Sequence, residues 1–336
     1  MSTSGSIIEH MFDLVKTVVT TQGPSRRPTA FDRPGLPTPY GGPVGGHRGS
    51  VNGRPRAASH RPPTLLGLPT TPVAVTTGTV ELRRERDDAN GVTVLVNGVP
   101  SSHLDLVDPT RLEFEYMQQM AAVIDRLGEP GAPLRVVHLG AAGCTMARYV
   151  QAVRPGSHQL AVELDPRLAE LVRTWFDLPR APLLRLRTGD ARAELARVPS
   201  ASADLVIRDV FAGALTPEHV TTLEFTADAA RVLRPGGVYL ANCADRPPLG
   251  LARAEVATLL AVFADVAAIA EPGQLRGRRY GNVVLAGSDQ AGLLGSAGLA
   301  RAIRSLPAPT RVLHGAELTT FAGTAAVRRD RPAGAT

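Results

Sequence analysis

The sequence predicts an α/β protein built on a doubly wound, mostly parallel sheet of seven strands, preceded by a small β-hairpin region. Three observations carry this expectation. From Pro133 onward, short apolar runs alternate with segments of helical period. The first run leads into a loop of small residues, Gly140-Ala141-Ala142-Gly143. The next three runs end at or just before acids: Glu163, Asp190 and Asp209.

Strands are expected at 135–139, 159–163, 183–187, 204–208, 237–242, 265–270 and 281–286. Helices are expected between them at 145–153, 166–176, 191–197, 217–233 and 249–263. The short, Gly-containing link before the seventh strand makes that strand antiparallel to its neighbours. Upstream, Thr79–Leu82 and Val92–Val96 alternate as strands do, Asn90-Gly91 is a hairpin signal, and Asn97-Gly98 marks a second turn. Leu112, Tyr116, Met120, Ile124 and Leu127 share one face of a helix expected over 109–127.

Ile7, Met11, Leu14, Val15 and Val18 are spaced for a short amphipathic helix over 6–19. Residues 22–75 then turn to Pro, Gly, Arg, Ser and Thr, a composition that buries too little apolar surface to offset chain entropy. The expected division is a disordered tail (1–75), a hairpin region (76–108), a main domain (109–290) and a partly disordered C-terminal extension (291–336). That extension reads as an added helix, an extra segment and a loose Arg/Ala/Gly tail.

The chain has 336 residues with 43% apolar content, ordinary for a protein that buries a core. Its net charge of +6 is concentrated at the N-terminus, where residues 1–65 hold eight Lys and Arg against three acids. The rest is nearly neutral, so the basic face that phosphate contacts need is not expected on the folded part, and nucleic acid is not an expected partner. Spanning a bilayer takes about 18–20 apolar residues. The best run, Val256–Ala270, is interrupted by Asp265, so no membrane partner is expected. No basic stretch leads into an apolar core and a small-residue cleavage site, and a cytoplasmic location is expected. Cys144 and Cys243 lie far apart and in no ligand spacing, so they read as buried thiols, with neither disulfide nor metal.

The Gly140–Gly143 loop, between a buried strand and a helix start, lets a ligand approach backbone N–H groups, although a tight turn alone has the same composition. His138, inside the strand, reads as a hydrogen-bonded core residue. Glu163 ends the second strand about twenty residues later, where an acid accepts hydrogen bonds from ribose hydroxyls; a solvated strand-end charge is the plainer alternative. Asp165 before Pro166 reads as a helix N-cap. In Gly189-Asp190-Ala191 the acid can accept an adenine amino group, a role compatible with helix capping. Asp209 follows an apolar strand with no helix start behind it, which suits a functional acid better than a surface one.

These residues resemble the spermidine synthase, or polyamine aminopropyltransferase, family, a branch of the class I methyltransferase-like fold. The likeness covers about residues 78–286. It includes Leu112-Glu113-Phe114-Glu115-Tyr116, the Gly140 loop, Val162-Glu163-Leu164-Asp165, Gly189-Asp190-Ala191, Asp209, Thr222-Leu223-Glu224-Phe225 and Leu233-Arg234-Pro235-Gly236-Gly237-Val238. The resemblance implies a Rossmann-like, methyltransferase-type sheet and a co-substrate that is decarboxylated S-adenosylmethionine or S-adenosylmethionine, bound by Gly140, Gly143, Glu163, Gly189, Asp190 and Ala191. It implies Asp209 as the catalytic acid that holds and deprotonates an attacking amine, Tyr116 as its pocket partner, and Gln118 at the amine site. It also implies a small-molecule amine such as putrescine as acceptor, and a homodimer or homotetramer.

The chain departs from the family pattern at three positions. The loop acid that binds the aminopropyl ammonium is Gly143 here, the glutamine after the second hairpin turn is Ser101, and Met117-Gln118 follows Tyr116 in place of His-Glu or Gln-Glu. A buried ammonium without a carboxylate is costly. Three functions therefore stay open from the sequence: aminopropyl transfer, methyl transfer from intact S-adenosylmethionine, and a binding or scaffold protein without catalysis.

Overall fold

A computed structural model describes residues 67–84, 88–213 and 215–332. The expected helix over 6–19 and most of the expected tail lie outside the described residues.

Strands β1 (Val73–Val75), β2 (Gly78–Arg84), β3 (Gly91–Val96) and β4 (Val99–Asp105) form an antiparallel sheet in chain order. Asn97 (φ 51°) and Gly98 (φ 79°) make the tight link between β3 and β4, and both left-handed conformations suit the twist of a two-residue hairpin. The described residues contradict the expected tail at residues 73–75, which form β1. Val73, Ala74 and Val75 pair with Val80, Thr79 and Gly78, and Leu68 is buried. A neighbouring strand supplies the hydrogen bonds that this local composition does not forecast.

Helix α1 (Glu115–Ile124) is shorter than its apolar spacing predicts. Asp108 takes both the amide and hydroxyl of Thr110 in a local turn, and Arg111 pairs with Asp88 at 2.6 Å and Asp105 at 3.2 Å, so the chain from 108 to 114 is held out of helical geometry.

The main sheet contains β5 (Arg135–Leu139), β6 (His158–Glu163), β7 (Leu184–Thr188), β8 (Ala203–Arg208), β9 (Leu233–Asp245), β10 (Asp265–Ala270), β11 (Gly281–Ser288) and β12 (Arg311–His314), in the order β12-β10-β11-β9-β8-β5-β6-β7. The pairs from β7 to β9 are parallel, and β11 runs antiparallel between β9 and β10, as expected. The sheet has eight strands where seven were expected. β12 was missed because Arg311-Val312-Leu313-His314 is short and does not alternate; its pairing with β10 makes it a strand. β9 also starts early: the Leu233–Gly237 turn is a bulge inside it, with Leu233 opposite Ala203 and then Val238 opposite Leu205.

Helices α2 (Thr145–Val153), α3 (Pro166–Trp175), α4 (Ala191–Ala196), α5 (Leu223–Val232), α6 (Gly250–Leu260), α7 (Pro272–Leu275), α8 (Ala297–Arg304) and α9 (Ala316–Ala322) complete the body. Alternate strand residues feed two core layers. Val137, Leu139, Tyr239 and Ala241 pack with α4, α5, α6 and α9, whereas Val136, Leu205, Ile207 and Leu240 pack with α1, α2 and α8. The helix expected over 217–233 is split. Thr222 adopts extended backbone and caps the amide of Phe225, leaving a separate 3-10 turn at Glu218–Val220. The expected loose C-terminal tail is tethered through residues 328–331: the Arg328 carbonyl accepts from Leu223 at 2.7 Å, and Asp330 pairs with Arg192.

Asp165 caps α3 through Leu168 N–H at 2.9 Å, and its other oxygen accepts from the amide (2.6 Å) and hydroxyl (2.8 Å) of Thr77. Burial raises its pKa, but these donors outweigh that and hold the carboxyl below the usual aspartate range. Asp165→Ala should lower stability by about 1–2 kcal/mol, the scale of a lost cap, read as a lower urea midpoint. Because the folded pKa is depressed, the contribution is present above about pH 4 and disappears as pH falls through the folded value, so acidification should erase the difference between variant and parent.

Candidate active site

The chain order β5-β6-β7 runs one way from the sheet centre and β8-β9 the other, so the carboxyl ends of β5 and β8 flank a topological switch point, where open α/β sheets bind ligands. The Gly140 loop follows β5 there, and Asp209 follows β8. The two are in backbone contact. Asp209 N–H donates to Leu139 O at 2.8 Å, and a Cβ on Gly140 (φ 84°) would stand 2.1 Å from Asp209 O.

Asp209 is held by two side chains. The Tyr116 hydroxyl of α1 donates to Oδ2 at 2.9 Å, and the Asn242 amide of β9 donates to Oδ1 at 2.9 Å. Burial pushes the Asp209 carboxyl above the usual aspartate range, against the pull of Asn242, Tyr116 and the Arg208 guanidinium. Burial and the adjoining Asp209 charge push the Tyr116 phenol well up, so it stays protonated as a donor. The result is a carboxylate at a ligand edge with a defined orientation and raised basicity.

On the other side of the switch point, Glu163 Oε2 accepts from Ala142 N–H at 2.9 Å and Ala141 N–H at 3.3 Å, while Oε1 accepts from Asp165 N–H at 3.1 Å. The acid and the small-residue loop are one unit. A carboxylate has about four lone-pair sites, so further donors can be received. Gly189 N–H donates to Glu163 O at 2.9 Å, which brings the β7 end alongside. Asp190 caps α4 through Ala193 N–H at 3.0 Å and meets His219 Nε2 at 2.9 Å. Burial opposes but does not cancel these contacts, and its carboxyl lies below the usual range. Ala191 is buried at the first position of α4.

Gly143 is closed in. Its N–H donates to Ser102 Oγ at 3.0 Å, and a Cβ there would lie 2.8 Å from Leu104 Cδ1 and 2.9 Å from Ser102 Cβ. β4 thus occupies the space that a loop side chain would need. The Gln118 amide nitrogen donates to Leu112 O at 2.7 Å, which turns it back onto its own segment. Met117 is in the core. His138 is a core residue paired with Gln159 at 2.8 Å, and burial lowers its pKa to about 4.

Sequence reasoning did not single out Asn242, His219 or Ser102. Asn242 carried a signal, as a polar residue in the apolar run Val238–Cys243. Ser102 and His219 carried none, because their meaning lies in the distant groups they meet, the Gly143 amide and the Asp190 carboxylate.

A crystallised probable spermidine synthase from Corynebacterium glutamicum is 39% identical to this chain, superposes with a TM-score of 0.74, and is matched over 99% of its length by 80% of this chain. The chain belongs to the spermidine synthase family. A polyamine aminopropyltransferase of Vibrio vulnificus is 30% identical over 134 residues, which is 39% of this chain and 44% of that relative. The chain spans about half the length of the curated relatives it matches. The spermidine synthase of Thermotoga maritima, at 14% identity and a TM-score of 0.52, shares the fold over 71% of this chain and 79% of its own. No family model matches the chain.

Among the described residues of this family member, no helix is long and apolar enough to cross a membrane, and no group of three or more His, Cys, Asp or Glu is arranged to hold a metal.

Proposed function

We propose that the chain transfers an aminopropyl group from decarboxylated S-adenosylmethionine to a small-molecule amine such as putrescine. The observation that carries this reading is the Tyr116–Asp209–Asn242 cluster at the switch point, set across from the Glu163 loop. The co-substrate supplies a sulfonium, which makes the adjacent aminopropyl carbon electrophilic and the thioether a good leaving group.

The protein's share is positioning and proton removal. Asp209, as carboxylate, orients the amine and takes its proton. The nitrogen lone pair then forms the new C–N bond, and the C–S bond breaks onto sulfur to release 5′-methylthioadenosine. Tyr116 and Asn242 each hold one carboxylate oxygen, which fixes the group and leaves lone pairs to receive the amine. Glu163 receives the ribose hydroxyls, Asp190 the adenine amino group, and the exposed Leu164 (62%) offers the purine an apolar face beside Glu163. Gly140, Gly189 and Ala191 lie at the strand ends that receive the nucleoside, and Gly143 lets the same loop close onto β4. Gln118, two residues after Tyr116 in α1, would have to release its amide from Leu112 O to reach the amine end. A cytoplasmic site of action and assembly into homodimers or homotetramers through the antiparallel sheet belong to the same proposal.

A second reading has its own support. The crowding of Gly143 by Ser102 and Leu104 leaves the loop without the carboxylate that an aminopropyl ammonium seeks, which suits the carboxylate-bearing tail of intact S-adenosylmethionine and hence methyl transfer. Calorimetric titration separates the readings. Tight binding of the decarboxylated form alone supports aminopropyl transfer, tight binding of the intact form alone supports methyl transfer, and binding of neither leaves a scaffold. In the same experiment Glu163→Ala should weaken nucleoside binding by about 1–3 kcal/mol with unchanged circular dichroism; equal affinity would remove Glu163 from the ribose site.

A further inference from the structure

Arg208 is fully buried at the end of β8, immediately before Asp209. Its guanidinium pairs with Glu255 of α6 at 2.8 Å, and Glu255 is buried too. The remaining guanidinium contacts go to Asn242 O at 3.0 Å and Val220 O at 3.1 Å. Burying such a pair gives little stability over a well-packed apolar pair, because desolvation offsets the attraction. The contacts themselves are the informative feature. Asn242 is the residue whose side chain holds Asp209, and Val220 closes the 3-10 turn whose His219 meets Asp190. One cation therefore braces the amine end and the nucleoside end of the site from beneath.

We propose that the Arg208–Glu255 pair is a positioning element that keeps the Asp209–Asn242 carboxylate and the His219–Asp190 contact in register. Its electrostatics act in the same place. Among the described residues, Arg208 is the one cation that bears on Asp209; the other groups that bear on that carboxyl are Tyr116 from α1 and Asn242 from β9, while Glu163 of β6 is bound to the amides of Ala141 and Ala142 in the Gly140 loop. Arg208 is in turn faced by Glu255 from α6 and by Tyr239 and Cys243 from β9. The effect on turnover rests on the aminopropyltransferase reading, whereas the effect on Asp209 and on nucleoside binding does not.

The test uses the full chain with Arg208→Met combined with Glu255→Leu, which removes both charges and keeps the volume filled. The double variant should keep its thermal midpoint close to the parent's, lose turnover by about 10²-fold through misplacement, and bind 5′-methylthioadenosine more weakly. The Asp209 carboxyl, followed by carbon-13 NMR and assigned with Asp209→Asn, should titrate at higher pH than in the parent. Glu255→Gln keeps a hydrogen-bond acceptor but leaves Arg208 unneutralised, so there the Asp209 titration should move down. A folded double variant with unchanged Asp209 titration and unchanged nucleoside affinity overturns the proposal. If the double variant does not fold, an unchanged titration in Glu255→Gln does the same. A parent inactive with diamines, alongside variants that shift Asp209 as described, refutes the functional reading and leaves the brace standing.

Discussion

Asp209→Asn should cut transfer by about 10²–10⁴-fold, the usual contribution of a general base, with nucleoside affinity unchanged. The substitution is close to isosteric in this site. The new carbonyl oxygen can accept from Asn242 as Oδ1 does now, and the new amide can donate to the Tyr116 oxygen, because a phenol accepts as readily as it donates. Geometry is retained while the proton acceptor is lost. In the parent, activity should rise with pH as the carboxyl loses its proton, and burial places that rise above the range of an ordinary aspartate. The Asn variant should lose that limb from its pH–rate profile. Turnover near the parent's would make Asp209 a structural residue.

Gly140→Ala should be nearly as damaging, by a different route. The φ of 84° strains any side chain there by about 1–3 kcal/mol, and the added methyl would lie 2.1 Å from Asp209 O and 2.8 Å from Asp209 C. These are backbone atoms of the neighbouring strand end and cannot turn aside as a side chain does. The end of β8 must move, taking Asp209 with it, and a displacement near 1 Å can cost about 10²-fold in rate. Expected are a lowered thermal midpoint together with lost turnover and weakened nucleoside binding. Gly143→Ala is the informative comparison, since its close atoms belong to the side chains of Ser102 and Leu104. It should act mainly on stability. Full activity in Gly140→Ala would mean that the loop and β8 are not held as closely as described.

Much of this was legible because local pattern and tertiary role coincide. The runs 135–139 and 265–270 are buried strands whose apolar sequence has one good interpretation, and the structure places strands at those residues. Asp165-Pro166 is a cap signal that needs no partner beyond the next turn. The acids at 163, 190 and 209 stood out because parallel strands carry their ends to one sheet edge, so chain order alone brings them near each other. What escaped depends on contacts between distant segments. β12 exists because β10 offers it an edge. Residues 328–331 are ordered by Leu223, Thr221 and Arg192, none of them near in sequence. Arg208 has no partner near it in sequence; its carboxylate is Glu255, 47 positions later. Ser102 became meaningful only when β4 was seen to fill the side-chain space at Gly143.

Aminopropyl transfer that depends on Asp209 is the function proposed for this site. The most direct test incubates the full chain with decarboxylated S-adenosylmethionine, labelled in the aminopropyl carbons, and putrescine, then follows the label and the nucleoside by mass spectrometry. Label is expected on the amine, with 5′-methylthioadenosine released in equal amount, and both are expected to be lost in Asp209→Asn. No labelled amine from the parent, together with methyl transfer and S-adenosylhomocysteine release when intact S-adenosylmethionine is supplied, would contradict that function.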